Sequence, residues 1–315
     1  MSRKKVVLGI DTSCYTTSVA ADTGDTVMQI KKPLKVKEGD CGLRQSEAVF
    51  QHIKNLPLCF DELKEQVNFR EFEAVTIAVS SRPRNVEGSY MPVFLAGQSF
   101  ARVLADVINA EYIETSHQEG HIMAAIHSCR KYSIMEEPFL TYHLSGGTTE
   151  LLLAKPTDCG FECEIVGGTL DLPAGQFIDR IGVKLGMEFP CGKYLDYSAC
   201  EHMGEKPKVK TCVKEEYINF SGEETRYERL IENGSESTYV AYCTMKCIAD
   251  SVKKSVKAAK KKYNIKNVLM VGGVSSSRFI RGEFSDMPNV YFAEPELSTD
   301  NAVGVCQIGK MNSKI

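Results

Sequence analysis

No Cys-x-x-Cys pair occurs among the 12 cysteines of this 315-residue chain. That absence removes the commonest ribbon-type zinc site and the thioredoxin-like redox motif. The thiols are scattered, and the chain opens MSRKKVVLGID, running straight into an apolar strand, so no signal peptide is expected. The expectation is reduced thiols in a cytoplasmic compartment, with Cys14, Cys191 and Cys306 as small thiols in motif loops. No apolar run approaches the length of a membrane span. Neither sign of charge dominates: the net charge is −3, so no overall basic field announces nucleic acid. Nucleic-acid contact would need local patches, Lys31–Lys37 or Lys253–Lys262, and each reads more simply as a solvated lysine face.

What is present is an ordinary globular composition, 43% hydrophobic and 25% charged, in a chain long enough for two lobes. VVLGIDTS, TTSVAAD and TVMQIKK read as a β-meander. Helical spacing follows over 45–66, a buried strand at AVTIAVS, and an apolar helix over 91–109. From residue 113 a second series begins, with the hairpin FLTYHLSGG/TELLLAKP and a third strand, FECEIVGG. Helices are predicted over 175–186 and 192–203, a loop over 204–225, and a long helix over 238–264. The strand NVLMVGG, a helix over 276–284, the strand VYFAE and a last helix from 299 close the chain. Both halves open alike, which suggests a duplicated βββαβα unit. The expected division is 1–112 plus 296–315 against 113–295.

The stretch TSHQEGHIMAAIHS puts His117 and His121 four residues apart, on one helix face. Ser116 with Glu119 reads as a capping box that marks the helix start, and the preceding AEYIET reads as a short strand. Asp300 of STDNA is a distant third ligand candidate. The alternative is two surface or core histidines. The pair is not HExxH, because the glutamate stands third rather than second, so it gives little support for a peptidase base. The turns GIDTSCYTTS and LSGGTTE carry small residues whose amides can approach phosphate oxygens, and VGGVSSSR follows a strand at a helix start. Gly-rich hairpins without a ligand are the alternative.

The order of GIDTSC, SHQEGH, HLSGGTTEL, TLDLPAGQFIDRIGVKLGMEFPCG, NFSG, VLMVGGVSSSR and STDNAVG resembles the TsaD family, threonylcarbamoyltransferases of the actin-like ATPase (ASKHA) α/β fold. The resemblance implies two duplicated lobes around a nucleotide cleft. It matches His117, His121 and Asp300 to the family's metal ligands, with His143 where some members supply a tyrosine near the metal. One divalent transition metal, Fe or Zn, is implied. It matches Ser145, Gly146, Gly147 and Thr148 to the second phosphate turn and Asp179 to a carboxylate on the ribose. Gly192 matches a glycine beneath the nucleotide, Ser277 a position that is usually asparagine, and Asp11 a carboxylate near the phosphates. The implied ligand is an adenine nucleotide: ATP, AMP or an acyl-adenylate. The implied acceptor is an adenosine amine in tRNA, and the implied protein partner is TsaB-like.

Several residues depart from the family pattern. Tyr15 and Thr16 replace two acidic residues, so weak ATP hydrolysis is expected. Arg82-Pro83-Arg84 stands where the family has Gly-Pro-Gly, and two guanidiniums there would favour an anionic substrate unless they are surface charges. Thr148 and Glu150 replace the more usual His or Asn and Gln. These changes keep three alternatives open: a carbamoyltransferase acting on a protein or small molecule, a non-catalytic nucleotide-binding partner, and, least supported, a peptidase.

Overall fold

The structure, a computed structural model, describes residues 4–13, 15–36 and 43–314. Contacts divide it into two units. The first runs to Tyr132 and takes back Pro156–Glu162 and the residues from Thr299; the second holds Ser133–Lys155 and Cys163–Ser298.

In the first unit, β1 (Lys5–Asp11), β2 (Thr16–Asp22) and β3 (Val27–Pro33) form the expected meander. Then come α1 (Gln45–Gln66), β4 (Ala74–Arg82), α2 (Phe94–Ile108), β5 (Glu111–Ser116) and α3 (His117–Cys129). The sheet order is β3-β2-β1-β4-β5, antiparallel on the meander side and parallel from β1 through β4 to β5. Register aligns Ile30, Val19, Ile10 and Val79 in one cross-strand row, and all four are buried. Against that face α1 lays Ala48, His52, Leu56, Cys59 and Leu63, spaced by three or four residues as a buried helical stripe requires.

In the second unit, β6 (Phe139–Leu144), β7 (Thr149–Thr157) and β8 (Gly160–Thr169) lead to α4 (Ala174–Lys184) and α5 (Gly192–Cys200). There follow β9 (Cys212–Lys214), β10 (Tyr217–Asn219), α6 (Ser221–Glu232), α7 (Ser237–Tyr263), β11 (Val268–Val271), α8 (Arg278–Glu283), β12 (Val290–Phe292) and α9 (Pro295–Ser298). The last helix, α10 (Val303–Asn312), returns to the first unit. Within the order β12-β11-β6-β7-β8-β10-β9, the run β8-β7-β6-β11-β12 repeats the first sheet's plan, as a duplicated unit should.

Two expectations need correction. The division at 112/113 falls instead at 132/133, because β5 pairs in parallel with β4 and completes the first sheet. Its continuation α3 packs on α10, where a Cβ at Gly304 would collide with the Gly120 carbonyl, so only glycine permits that approach. The stretch 204–225 is not all loop. It contains β9, β10 and the start of α6, whose buried Glu223 and Glu224 pair with Arg226 and Arg180. Strands of three residues are too short for a period, and buried carboxylates disguise a core-facing helix.

Candidate functional site

The His pair is built by the junction of β5 and α3. Ser116, extended at φ −97°, accepts from the Glu119 amide at 3.2 Å, and the Glu119 carboxylate accepts from the Ser116 amide at 2.9 Å. Glu119 also accepts from the hydroxyls of Thr115 and Ser116 and from the Phe161 amide. Four donors thus satisfy a buried carboxylate, which leaves it a structural anchor rather than a base.

That anchor starts α3 so that His117 and His121 stack one above the other, rings edge to face. Their Nε2 atoms are 3.0 Å apart, and Asp300 Oδ1, just ahead of α10, lies 3.6 Å from each. Among the described residues this is the one cluster of three His, Cys or carboxylate side chains that could hold a metal. A point about 2.0 Å from all three atoms lies at the centre of that triangle, which is the bond length of a first-row metal to imidazole and carboxylate. The donor set therefore fits the implied ion. His143 stands on β6 of the second unit, in register with Glu150 and Val271.

Asp11 has a role that the sequence did not reveal. Its carboxylate is fully buried and accepts from Ser13 Oγ at 2.8 Å and from Ser80 Oγ. It stands 3.3 Å from His117 Nδ1. A carboxylate behind one ring nitrogen fixes the tautomer and leaves the other nitrogen for a metal. The resemblance puts Asp11 near the phosphates; within the protein its oxygens bond Ser13 and Ser80 and stand behind His117. Burial opposes charge on His117, yet Asp11 first and Asp300 second push its pKa up to about 9. Burial, then the His117 charge, lower that of His121. A single proton can bridge the two Nε2 atoms, and a metal would take the place of that proton. His52 on α1 is another buried neighbour that spacing did not flag. Its Nδ1 lies 2.8 Å from Thr17 Oγ1, and burial keeps it neutral by lowering its pKa.

At the first turn Tyr15 is 47% exposed and Thr16 half-buried. Cys14 lies outside the described residues, as does Lys37. Beyond β4, the Pro83 carbonyl accepts from the Gln118 amide of α3 at 3.0 Å, which seats the Arg82-Pro83-Arg84 turn beside the His pair.

In the second unit the turn 145–148 closes with Ser145 N donating to Thr148 O at 2.8 Å and Thr148 N to Ser145 Oγ at 3.2 Å. Gly146 and Gly147 are exposed, and a Cβ on either would meet nothing within 4 Å, so the turn is open to a ligand. Asp179 accepts from the Cys191 amide at 2.8 Å, which brings it to the start of α5 at Gly192; burial raises its pKa. Asp179, Arg180, Phe189 and Glu224 line an open cavity of about 430 Å³, within the range of small-molecule sites. The Ser277 hydroxyl donates to Asp196 and accepts from the Ile280 amide, so it caps α8, and Asp196 also takes the amides of Arg278 and Phe279.

Neither lysine patch is a bare cationic stripe. Lys253 pairs with Asp286 and Lys262 with Glu216, while Lys254 and Lys260 bond Thr211 and the Pro288 carbonyl. Lys32 pairs with Glu62, and Lys31 bonds Thr299. The described cysteines carry no disulfide, and Cys191 and Cys306 are buried. No described helix is long and apolar enough to cross a membrane.

The profile of the family described as tRNA N6-adenosine threonylcarbamoyltransferase, TsaD, matches residues 28–305. The enzyme of that name from Thermosipho africanus is 26% identical over 318 residues, covering 96% of this chain and 93% of the relative. That of Persephonella marina is 29% identical over 322 residues, covering 96% and 89%. Among solved structures, HypF of T. kodakarensis superposes with a TM-score of 0.58 at 13% identity, over 98% of this chain but only 48% of HypF. The activator of the 2-hydroxyisocaproyl-CoA dehydratase from Clostridium difficile superposes with a TM-score of 0.52 at 13% identity, over 96% of this chain and 92% of the activator. At such identities these structures speak for the fold alone, and the fold is that of the actin-like ATPases. The matched profile spans nearly the whole chain, and on that ground the protein belongs to the TsaD family of tRNA threonylcarbamoyl-transferring enzymes.

Proposed function

We propose that this chain moves a threonylcarbamoyl group from an acyl-adenylate to the exocyclic amine of an adenosine in tRNA, in dependence on a transition metal, Fe or Zn. The observation that carries the metal dependence is the triangle of His117, His121 and Asp300 with buried Asp11 behind it. His117 and His121 would hold the ion through Nε2 and Asp300 through a carboxylate oxygen, while Asp11 keeps the His117 ring in the required tautomer. When bound, the metal supplies Lewis acidity toward the acyl carbonyl. Asp179, at the edge of its cavity, and Gly192, at the start of α5, would receive the ribose, and the open turn of Ser145, Gly146, Gly147 and Thr148 the phosphate. A C–N bond to adenosine forms, the bond from the acyl carbon to the phosphate oxygen breaks, and AMP leaves. The amine's proton passes to solvent, since the buried carboxylates here are engaged, Glu119 by four donors and Asp11 by Ser13, Ser80 and His117.

A protein partner of TsaB-like kind is supported by the apolar outer surface of α1 and α2, where Phe50, Ile53, Val103 and Val107 are exposed. A cytoplasmic setting is supported by the thiols of the described cysteines. A second reading, a paralogue with a different acceptor and weak ATP hydrolysis, is favoured by exposed Tyr15 in place of an acid. The experiment that separates the two is nucleoside mass analysis of a tRNA transcript incubated with the metal-loaded protein, its partner and threonylcarbamoyl-adenylate. Threonylcarbamoyladenosine that vanishes with His121→Ala supports the first reading. A metal-loaded, nucleotide-binding protein that leaves the tRNA unmodified supports the second.

A further inference from the structure

The turn after β4 carries charge that the machinery described above does not use. β4 delivers Ser80 to the Asp11 carboxylate, passes through a register shift, and sets Arg82 opposite Ser116, the residue before His117. The Pro83 carbonyl is then fastened to the Gln118 amide, and the Arg84 amide to Ser89 Oγ at 3.0 Å. The turn is therefore tied at two points, one of them on the first turn of the metal helix.

Arg82 itself is half-buried. Its Nη1 donates to Ser81 Oγ at 3.1 Å and its Nη2 to Asn85 Oδ1 at 2.8 Å. Both acceptors are neutral. Among the described residues no carboxylate comes within ion-pair distance of this guanidinium. Glu114 feels its charge, and is held by Gln98, Tyr112 and Ser81, the last being the serine that accepts from Arg82. Neutral acceptors orient the planar fork without neutralising it, and that is how a protein presents an arginine to an incoming anion. The position is glycine in the stretch that this turn resembles, so the cation is a property of this chain.

We propose that Arg82 adds to this chain's site a contact to a carboxylate carried by the transferred acyl group, beyond the recognition that the family achieves with glycine here. Threonylcarbamoyl bears such a carboxylate and plain carbamoyl does not. The assignment rests on the transfer reading for the location of the acyl end beside His117 and His121. It concerns binding, so it can be read without turnover.

The test is calorimetry on the full-length metal-loaded protein with three probes: N-carbamoyl-L-threonine, its neutral carboxamide, and inorganic phosphate. The wild type is expected to bind the carboxylate roughly ten- to a hundredfold more tightly than the carboxamide, the usual worth of a charge-assisted bond. Arg82→Gln, and Arg82→Gly as a second variant, should narrow that preference about tenfold or more while holding the same metal stoichiometry. Equal affinity for both probes in the wild type overturns the proposal, as does a preference that survives both substitutions undiminished. Phosphate binding more tightly than the carboxylate, in an Arg82-dependent way, also overturns it and reassigns the arginine to a phosphoryl group. Metal absent from every protein, with the Arg82-dependent preference intact, sinks the transfer reading and leaves the carboxylate assignment standing.

Discussion

Replacing Asp11 by asparagine removes a charge behind His117 and keeps the shape of the side chain. Asp11 is fully buried and 3.3 Å from His117 Nδ1, so solvent screens it little. Despite the opposing cost of burial, Asp11 and Asp300 lift the His117 pKa from 6.5 to about 9. At 1.36 kcal/mol per unit, that is about 3 kcal/mol of net preference for positive charge at this ring. A metal cation sits in the same field, so Asp11 favours its binding with the same sign. Losses at carboxylates behind metal-bound histidines run about ten- to a hundredfold, or about 1.4–2.7 kcal/mol. The assay is a zinc titration against a competing chelator across pH. Protonated His117 competes with metal, so wild-type affinity should climb as pH rises and level off near 9. In Asp11→Asn the affinity should be lower on the plateau, and the plateau should begin at lower pH, because the proton is held less firmly. Identical affinities and identical pH profiles for the two proteins would refute the role given to Asp11.

Gly304→Ala should force α3 and α10 apart, since the new methyl would land on the Gly120 carbonyl. Denaturant unfolding should show a loss of about 1–3 kcal/mol and metal titration a weaker site, and normal values in both would show that the helices can give way. Asp179→Ala should weaken adenosine binding by about 1.5–3 kcal/mol in calorimetry, and unchanged affinity would remove Asp179 from the ribose. Asp171 accepts from Ser221 Oγ and from the amides of Leu172, Phe220 and Ser221, which outweigh burial and hold its carboxyl well below the usual range. A depressed folded pKa adds stability above the unfolded value of about 4 that is lost as pH falls below it, so Asp171→Asn should flatten the acid limb of the stability curve.

The sheet plan was legible because the two halves share a pattern of apolar segments and turns, and hydrophobic periodicity carries that pattern directly. Both helix ends of α1 were readable, since its stripe from Ala48 to Leu63 is regular. The domain boundary was misread for an equally physical reason. β5 and α3 follow the first lobe's helix and precede the second hairpin, and sequence alone does not say which sheet edge a short strand will join. Its parallel pairing with β4 is a long-range choice, made by Ile77 and Ala78 lying against Tyr112 and Ile113.

The candidate site divides along the same line. His117 and His121 were visible because a helix converts a four-residue spacing into proximity, and the Ser116–Glu119 box announced where that helix begins. Asp300 needed the family pattern, since a distant turn has no local signal. Ser80 and His52 carried none at all: one ends an apolar strand and the other sits inside a regular buried stripe. Their proximity to Asp11 and Thr17 is a product of packing. Ser277 has a second role that its motif did not announce: a serine one residue ahead of a helix is a cap, and its hydroxyl bonds the Ile280 amide and Asp196. Side chains that the fold already satisfies make poor ligands, whatever their motif. By that criterion Glu119 serves the fold, while Arg82, held by neutral acceptors and facing no described carboxylate within pairing distance, remains available to meet a substrate.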